Sequence, residues 1–154
     1  MNKQISCIAV AIAAALAAGR TYAAPTTLLG VYEETDSNLS CSNVSTCRVD
    51  FSTVTGPLRV TKVSCNFYFS SANYNDVFVT GIDLGQSSQN KNNHKALQYL
   101  APASPMLITA TTNQYQVLAD TLHVVPSNWR PSVEVTLSKP TTISMFCSIS
   151  GSTS

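Results

Sequence analysis

Five cysteines, four of them beyond the N-terminal Cys7, two histidines, a scatter of carboxylates and three aromatic residues near turns are the side chains of this chain that could react with, chelate or grip a ligand. Cys41, Cys47, Cys65 and Cys147 contain no Cys-x-x-Cys pair, and His94 and His123 have no partners at ligand spacing. A zinc site needs such clusters, so no metal is expected and the cysteines read as disulfides. For nucleophilic catalysis the serines are plentiful, but no Gly-x-Ser-x-Gly elbow occurs. A triad is assembled in space rather than in sequence, so a hydrolase with an unrecognised site stays as an alternative reading. It would need a cleft in which an acid or His123 meets a serine. Glu33, Asp50, Asp83, Asp120 and Glu134 show no pairing of the kind that glycoside chemistry uses. Glu33, Glu34 and Asp36 lack the regular spacing of a calcium loop and read as a solvated acidic loop. No catalytic residue and no cofactor is assigned.

Binding has more to work with. Tyr74, Tyr99 and Trp129 fall in or beside expected loops, amid Asn73, Asn75, Gln89, Asn90, Asn92 and Asn93. An exposed ring offers a face for a sugar or apolar ligand, and amides both donate and accept hydrogen bonds to hydroxyls. Tyr74, Tyr99, Trp129 and Asn93 are therefore the candidate ligand-binding residues. The competing reading is that loop aromatics fold back to plug the open end of a sandwich. Two glycosylation sequons, Asn38-Leu-Ser40 and Asn43-Val-Ser45, carry meaning only in a eukaryotic secretory pathway. The leader argues for a bacterial one.

That leader is residues 1–23. Lys3 supplies the positive start, Ile8 to Ala18 the apolar core, and Thr21-Tyr22-Ala23 a small-x-small cleavage signal. Cys7 precedes the apolar run and leaves with it. Residues 24–154 then form one domain, with no later stretch approaching the ~20 apolar residues that span a bilayer. Without Lys3 and Arg20, seven basic residues face eight acidic ones. This balance excludes a nucleic-acid partner, which needs a concentrated basic surface. Sparse charge among many Ser, Thr, Asn and Gln suits an exported β-protein, periplasmic or extracellular.

The elements that must hold these side chains read as about eight strands with no amphipathic helix. The first strand is expected over 26–34, with Leu28, Leu29 and Val31 as its apolar residues. The next spans 48–54, with Val49 and Phe51 inward. Over 58–69 the alternation slips: Leu58 and Val60 share one phase, Val63, Cys65, Phe67 and Phe69 the other. A β-bulge near Thr61-Lys62 reconciles them, because one extra residue flips the facing of everything beyond it. A strand apolar on both faces follows over 77–84 and is expected to end at Gly85. From 86 to 105 the pattern breaks down, and so long a connection is either functional or mobile. In it His94 should be solvated. Strands resume from 106 to 119, with a break at 112–114, and from 121 to 125, where His123 reads as the outward or hydrogen-bonded member of its alternation. Pro126 to Pro131 turn the chain, Val133, Val135 and Leu137 alternate, Lys139-Pro140 make another turn, and Ile143, Met145, Cys147 and Ile149 share a face.

The architecture that uses such strands is a two-sheet antiparallel β-sandwich, jelly-roll-like, with an immunoglobulin-like sandwich as the alternative. The latter is weakened because Trp129 sits among prolines instead of in the core. Cys65 and Cys147 both fall on apolar phases, which selects Cys65–Cys147 and leaves Cys41–Cys47 as a local bridge. The function that fits is an exported, non-enzymatic binding module whose partner is a carbohydrate or cell-envelope component. A structural protein of the envelope or of a surface assembly is the alternative, and the oligomeric state is left open.

Overall fold

The computed structural model describes residues 24–70, 77–100, 104–108 and 112–153. Among these the chain forms eight strands: β1 (Thr26–Leu28), β2 (Val31–Asp50), β3 (Leu58–Ser70), β4 (Val79–Ser87), β5 (His94–Tyr99), β6 (Ser104–Ile108), β7 (Thr112–Val125) and β8 (Arg130–Thr153). All pairings are antiparallel. One hydrogen-bonded path runs β1-β2-β8-β3-β7-β6, and β4 and β5 branch from β8.

Two long strands make this path into a sandwich. Residues 141–152 of β8 pair with 31–44 of β2, while residues 132–136 pair with 46–50. The first of these β8 segments also pairs with β3, the second with β4. The β2–β8 ribbon therefore belongs to both layers, and it crosses between them where 137–140 oppose Ser45 alone. Lys139-Pro140 is this crossing rather than a turn between strands. Pro140 tolerates the place because no ladder partner needs its missing N–H. Both layers contribute to a single core: Val63, Cys65, Phe67, Ile143 and Met145 from one, Val49, Ile82, Leu84, Val133 and Val135 from the other.

The bulge expected in β3 is present. Val60 pairs with Gly151 and Lys62 with Ser150, so Thr61 is the extra residue, and buried facing switches from Leu58 and Val60 to Val63, Cys65, Phe67 and Phe69. Thr61 Oγ1 donates to Ser150 O (3.3 Å), and Thr121 Oγ1 on β7 donates to Val60 O (2.8 Å). The strands approach so closely here that a Cβ on Gly151 would lie 2.0 Å from Arg59 O. Both disulfides pair as expected, with Cα–Cα distances of 5.9 Å for Cys41–Cys47 and 4.1 Å for Cys65–Cys147. Cys65 and Cys147 are register partners on β3 and β8, so the bridge fastens neighbouring strands of one layer.

Several expectations are corrected. Positive φ at Leu29 (51°) and Gly30 (80°) breaks the first strand into the β1–β2 hairpin. Leu28, Leu29 and Val31 are exposed, and the inward residues are Tyr32, Glu34 and Asp36. The acidic stretch is thus strand and not loop, with Glu34 and Asp36 buried and Glu33 facing solvent. That burial is feasible because Glu34 is saturated with donors: Ser52 N (2.9 and 3.0 Å), Ser52 Oγ (2.7 Å) and the Tyr32 hydroxyl. β4 continues through Gly85 to Ser87, and the expected long loop contains β5, five of whose six residues pair with β4 while Leu97 bulges at the register shift. β7 is continuous from 112, across the expected break. On β7, Leu122 and Val124 point to solvent and His123 points inward, the reverse of its expected facing.

Candidate functional site

The turn between β4 and β5 is built by its own polar side chains. Ser88 N donates to Asn93 O (2.9 Å), Lys91 N to Ser88 O (2.8 Å), Asn92 N to Asn90 Oδ1 (3.2 Å) and Asn93 N to Ser88 Oγ (3.2 Å), while the Ser88 hydroxyl itself meets Asn90 Oδ1. Lys91 takes the left-handed conformation that closes it. This is why the stretch without apolar residues is a defined turn: short amide and hydroxyl side chains supply the partners a ladder would otherwise provide.

Opposite stands the turn between the end of β7 and β8. Asn128, also left-handed (φ 66°), donates its N–H to Val54 O (2.8 Å), and Trp129 O accepts from Val54 N (3.0 Å). Trp129 is half-buried, with part of its indole against the core. The two turns enclose an open depression of about 450 Å3 lined by Ser88, Gln89, Asn90, Asn93, Asn128 and Trp129. The structure thereby brings together two of the four candidate residues, Asn93 and Trp129. Tyr74 lies outside the described residues, as do Asn73 and Asn75. Tyr99 sits elsewhere, on β5 opposite Asp83, with its ring over Gly81. Asn128 was missed by sequence reasoning. Its signal was adjacency to Trp129 in a proline-bounded turn.

A polar network holds the β4–β5 turn in place. Arg48 Nη2 donates to Lys91 O (2.7 Å), and its Nε lies 3.1 Å from Asp50 Oδ1. Asp50 also accepts from Ser87 Oγ (2.6 Å). His94, at the foot of the turn, lies 3.2 Å through Nδ1 from Ser132 Oγ, with Nε2 3.9 Å from Glu134 Oε2. The imidazole lies against Gly85, where a Cβ would come within 2.5 Å of its Cε1. His94 is therefore packed and not solvated, because Gly85 leaves room for it. The trio Ser132, His94 and Glu134 has the composition of a nucleophile with its base. Yet Ser132 is 0% exposed, and the carboxylate stands beyond hydrogen-bond length from Nε2, so its geometry is that of a packing network. His123 has no serine within hydrogen-bond reach among the described residues. Burial first, then the nearby Lys95, lowers its pKa, which keeps the ring neutral.

On the far layer, Tyr68 and Phe146 meet edge to face (5.7 Å, 86°) in an open depression of about 550 Å3 with Asn66 and Ser144, and Gln114 Nε2 donates to Tyr68 OH (3.2 Å). Both aromatics lie on the polar phase of their strands, the signal by which the sequence could have marked them as outward. Among the described residues no group of three metal-ligating side chains comes together, and no helix is long and apolar enough to cross a membrane.

No protein-family model and no curated protein matches the chain. Among solved structures, the structure of Eiger TNF from S. frugiperda matches at 11% identity and a TM-score of 0.39, covering 77% of this chain and 94% of that one. At that level of likeness the topology rests on the strand pairings described above, and the architecture they define is an all-β, antiparallel two-layer sandwich with two disulfides.

Proposed function

We propose that this protein is an exported binding module that recognises a neutral carbohydrate of the cell envelope in the depression between the β4–β5 turn and Trp129. Two disulfides in so small a β-domain point to an oxidising, exported environment. The observation that carries the reading is the convergence of one half-buried indole with Gln89, Asn90, Asn93 and Asn128 around a single open depression. A sugar ring presents an apolar C–H face and a rim of hydroxyls. An indole face and a set of amides match both, since amides donate and accept while charged groups would favour an ion. The prior anchoring of the turn by Arg48 supports the reading as well, because a turn already ordered loses less entropy on binding.

The test is a glycan array probed with the wild type, Trp129→Ala and Asn93→Ala, each checked for native circular dichroism. Loss of the indole should weaken binding about tenfold or more, as stacking worth about 1.4 kcal/mol would require. Asn93→Ala, exposed and outside the core, should weaken it without altering stability. Binding indifferent to both substitutions, or no binding to any glycan, sinks the proposal.

A further inference from the structure

The β1–β2 hairpin closes on a turn for which its residues are poorly suited. Leu28 pairs with Val31, so Leu29 and Gly30 form a two-residue connection, and both take positive φ, 51° and 80°. Such turns favour Asn-Gly, because a left-handed backbone crowds the Cβ of a larger side chain. Leu29 forgoes that preference without gaining burial, since it is 96% exposed. A strained backbone that holds an apolar side chain in water points to a function outside the fold. The surface behind the tip continues the theme. Leu28, Val31, Ser152, Arg59 and Val124 are successive register partners across β1, β2, β8, β3 and β7, on the outer face of that layer. Leu28, Val31 and Val124 are 68%, 52% and 47% exposed, and Leu122, next along that face of β7, is 82% exposed. Arg59, within the row, is exposed and makes no ion pair among the described residues. A charged row of register partners, Glu33, Ser150, Lys62 and Asp120, runs about 7 Å farther from the tip, by the rise of two strand residues.

We propose that this end of the sheet docks on a lipid bilayer that carries anionic headgroups, with Leu29 inserted, Arg59 on a lipid phosphate and the charged row in water. The order of chemistry along the strands selects lipid over a protein partner. From the tip inward it runs apolar, then apolar with one unpaired cation, then mixed charge. A bilayer presents the same order, from acyl chains through phosphates to water. A second copy or a partner's pocket would need a hollow matched to a projecting tip, whereas acyl chains rearrange around one. The guanidinium of Arg59 suits the phosphate level, because its fork of N–H groups matches phosphate oxygens. The turn is also prepared for an apolar medium: Gly30 O accepts from Thr153 N (2.9 Å), so this carbonyl loses no hydrogen bond on leaving water. None of these residues lines the Trp129 depression, so the bilayer reading and the carbohydrate reading stand or fall separately.

The left-handed turn supplies a variant that separates folding from docking. Asparagine suits the conformation of residue 29, so Leu29→Asn should keep or raise the urea midpoint while removing the inserted side chain. The test is flotation of the chain without its leader on vesicles of phosphatidylcholine mixed with phosphatidylglycerol, and on vesicles of phosphatidylcholine alone. The wild type should float with both and more strongly with the mixed ones. Leu29→Asn should partition about tenfold or more weakly onto either, as the loss of one inserted leucine requires. Arg59→Gln should bind the mixed vesicles about fivefold more weakly and the neutral ones as the wild type does. A wild type that floats with neither, or a Leu29→Asn variant that floats like the wild type, overturns the proposal. So does self-association of the wild type that Leu29→Asn abolishes while vesicles are ignored, which would assign the tip to a second copy. Arg59→Gln binding to mixed vesicles at wild-type strength would remove the phosphate contact and with it the anionic preference.

Discussion

The Glu34 carboxyl shows at the residue scale how a polar group is tolerated in this core. It sits on the first half of β2 and gathers donors from Tyr32, two positions away, and from Ser52, eighteen positions on, so one buried side chain ties the start of the ribbon to the segment beyond its end. The arrangement has a pH consequence. Burial first, and then the hydrogen bond and proximity to Glu34, push the Tyr32 phenol well above its ordinary range. The folded state thus holds this proton more tightly than the unfolded chain, whose phenol titrates near pH ~10. The contribution is complete below that pH and is lost as the pH rises through it, at up to about 1.4 kcal/mol per pH unit. Burial raises Tyr115 in the same direction. Urea midpoints measured from pH 8 to 11 should therefore fall at the alkaline end. Tyr32→Phe should shallow that fall while lowering stability at pH 8 by about 1–3 kcal/mol through the lost bond to Glu34. An alkaline slope unchanged by Tyr32→Phe would contradict the assignment.

Strands in this protein are shaped by local departures from regular pairing. The Thr61 bulge flips the facing of β3, and its freed carbonyl at Val60 is taken up by the Thr121 hydroxyl. Gly151 is the residue that allows it, since β8 must pass directly beneath Arg59. Gly151→Ala should force the strands apart and cost about 1–3 kcal/mol, as overpacking does. A chemical denaturation curve with an unchanged midpoint would show that the bulge has slack. Gly85 serves a different purpose, opening the space on β4 into which His94 folds. The β4–β5 turn depends on that packing and on Arg48, so its amides reach Trp129 from a fixed base.

For the molecule as a whole, the sheet's continuity through both layers makes the β2–β8 ribbon the frame and the disulfides its fasteners. Cys65–Cys147 closes a separation of 82 residues, Cys41–Cys47 one of 6. In the chain-entropy account these restrict the unfolded chain by about 4.5 and about 2.4 kcal/mol. Replacing Cys65 and Cys147 together by Ala should accordingly lower unfolding stability by roughly twice as much as replacing Cys41 and Cys47 by Ser, measured by urea denaturation. The opposite order would mean that the short bridge, at the level where the ribbon crosses between layers, controls the fold more than chain entropy allows.

What the sequence determined by itself was whatever rests on alternation within one strand. The apolar phases of 58–69 and 143–149 fixed the bulge, the inward thiols and hence both disulfides, because side-chain facing in a strand has a period of two and admits few solutions. Class and layering followed, since many short strands without a helix leave a sandwich as the way to bury them. Tertiary structure alone decided the rest. It buried Glu34 and Asp36, and Glu34 takes donors from Ser52, eighteen residues on, which the local pattern does not show. It made β5 a strand although its residues hardly alternate, because β4 supplies the ladder. It folded His94 onto Gly85 and drew Asn93, Asn128 and Trp129 to one depression from turns far apart in the chain. Tyr99 shows the same limit in the other direction. Its type marked it as a ligand platform, but the register of β5 against β4 carried it over Gly81, away from the other candidates. Residue type announces what a side chain can do, and only the packing of distant segments determines what stands beside it.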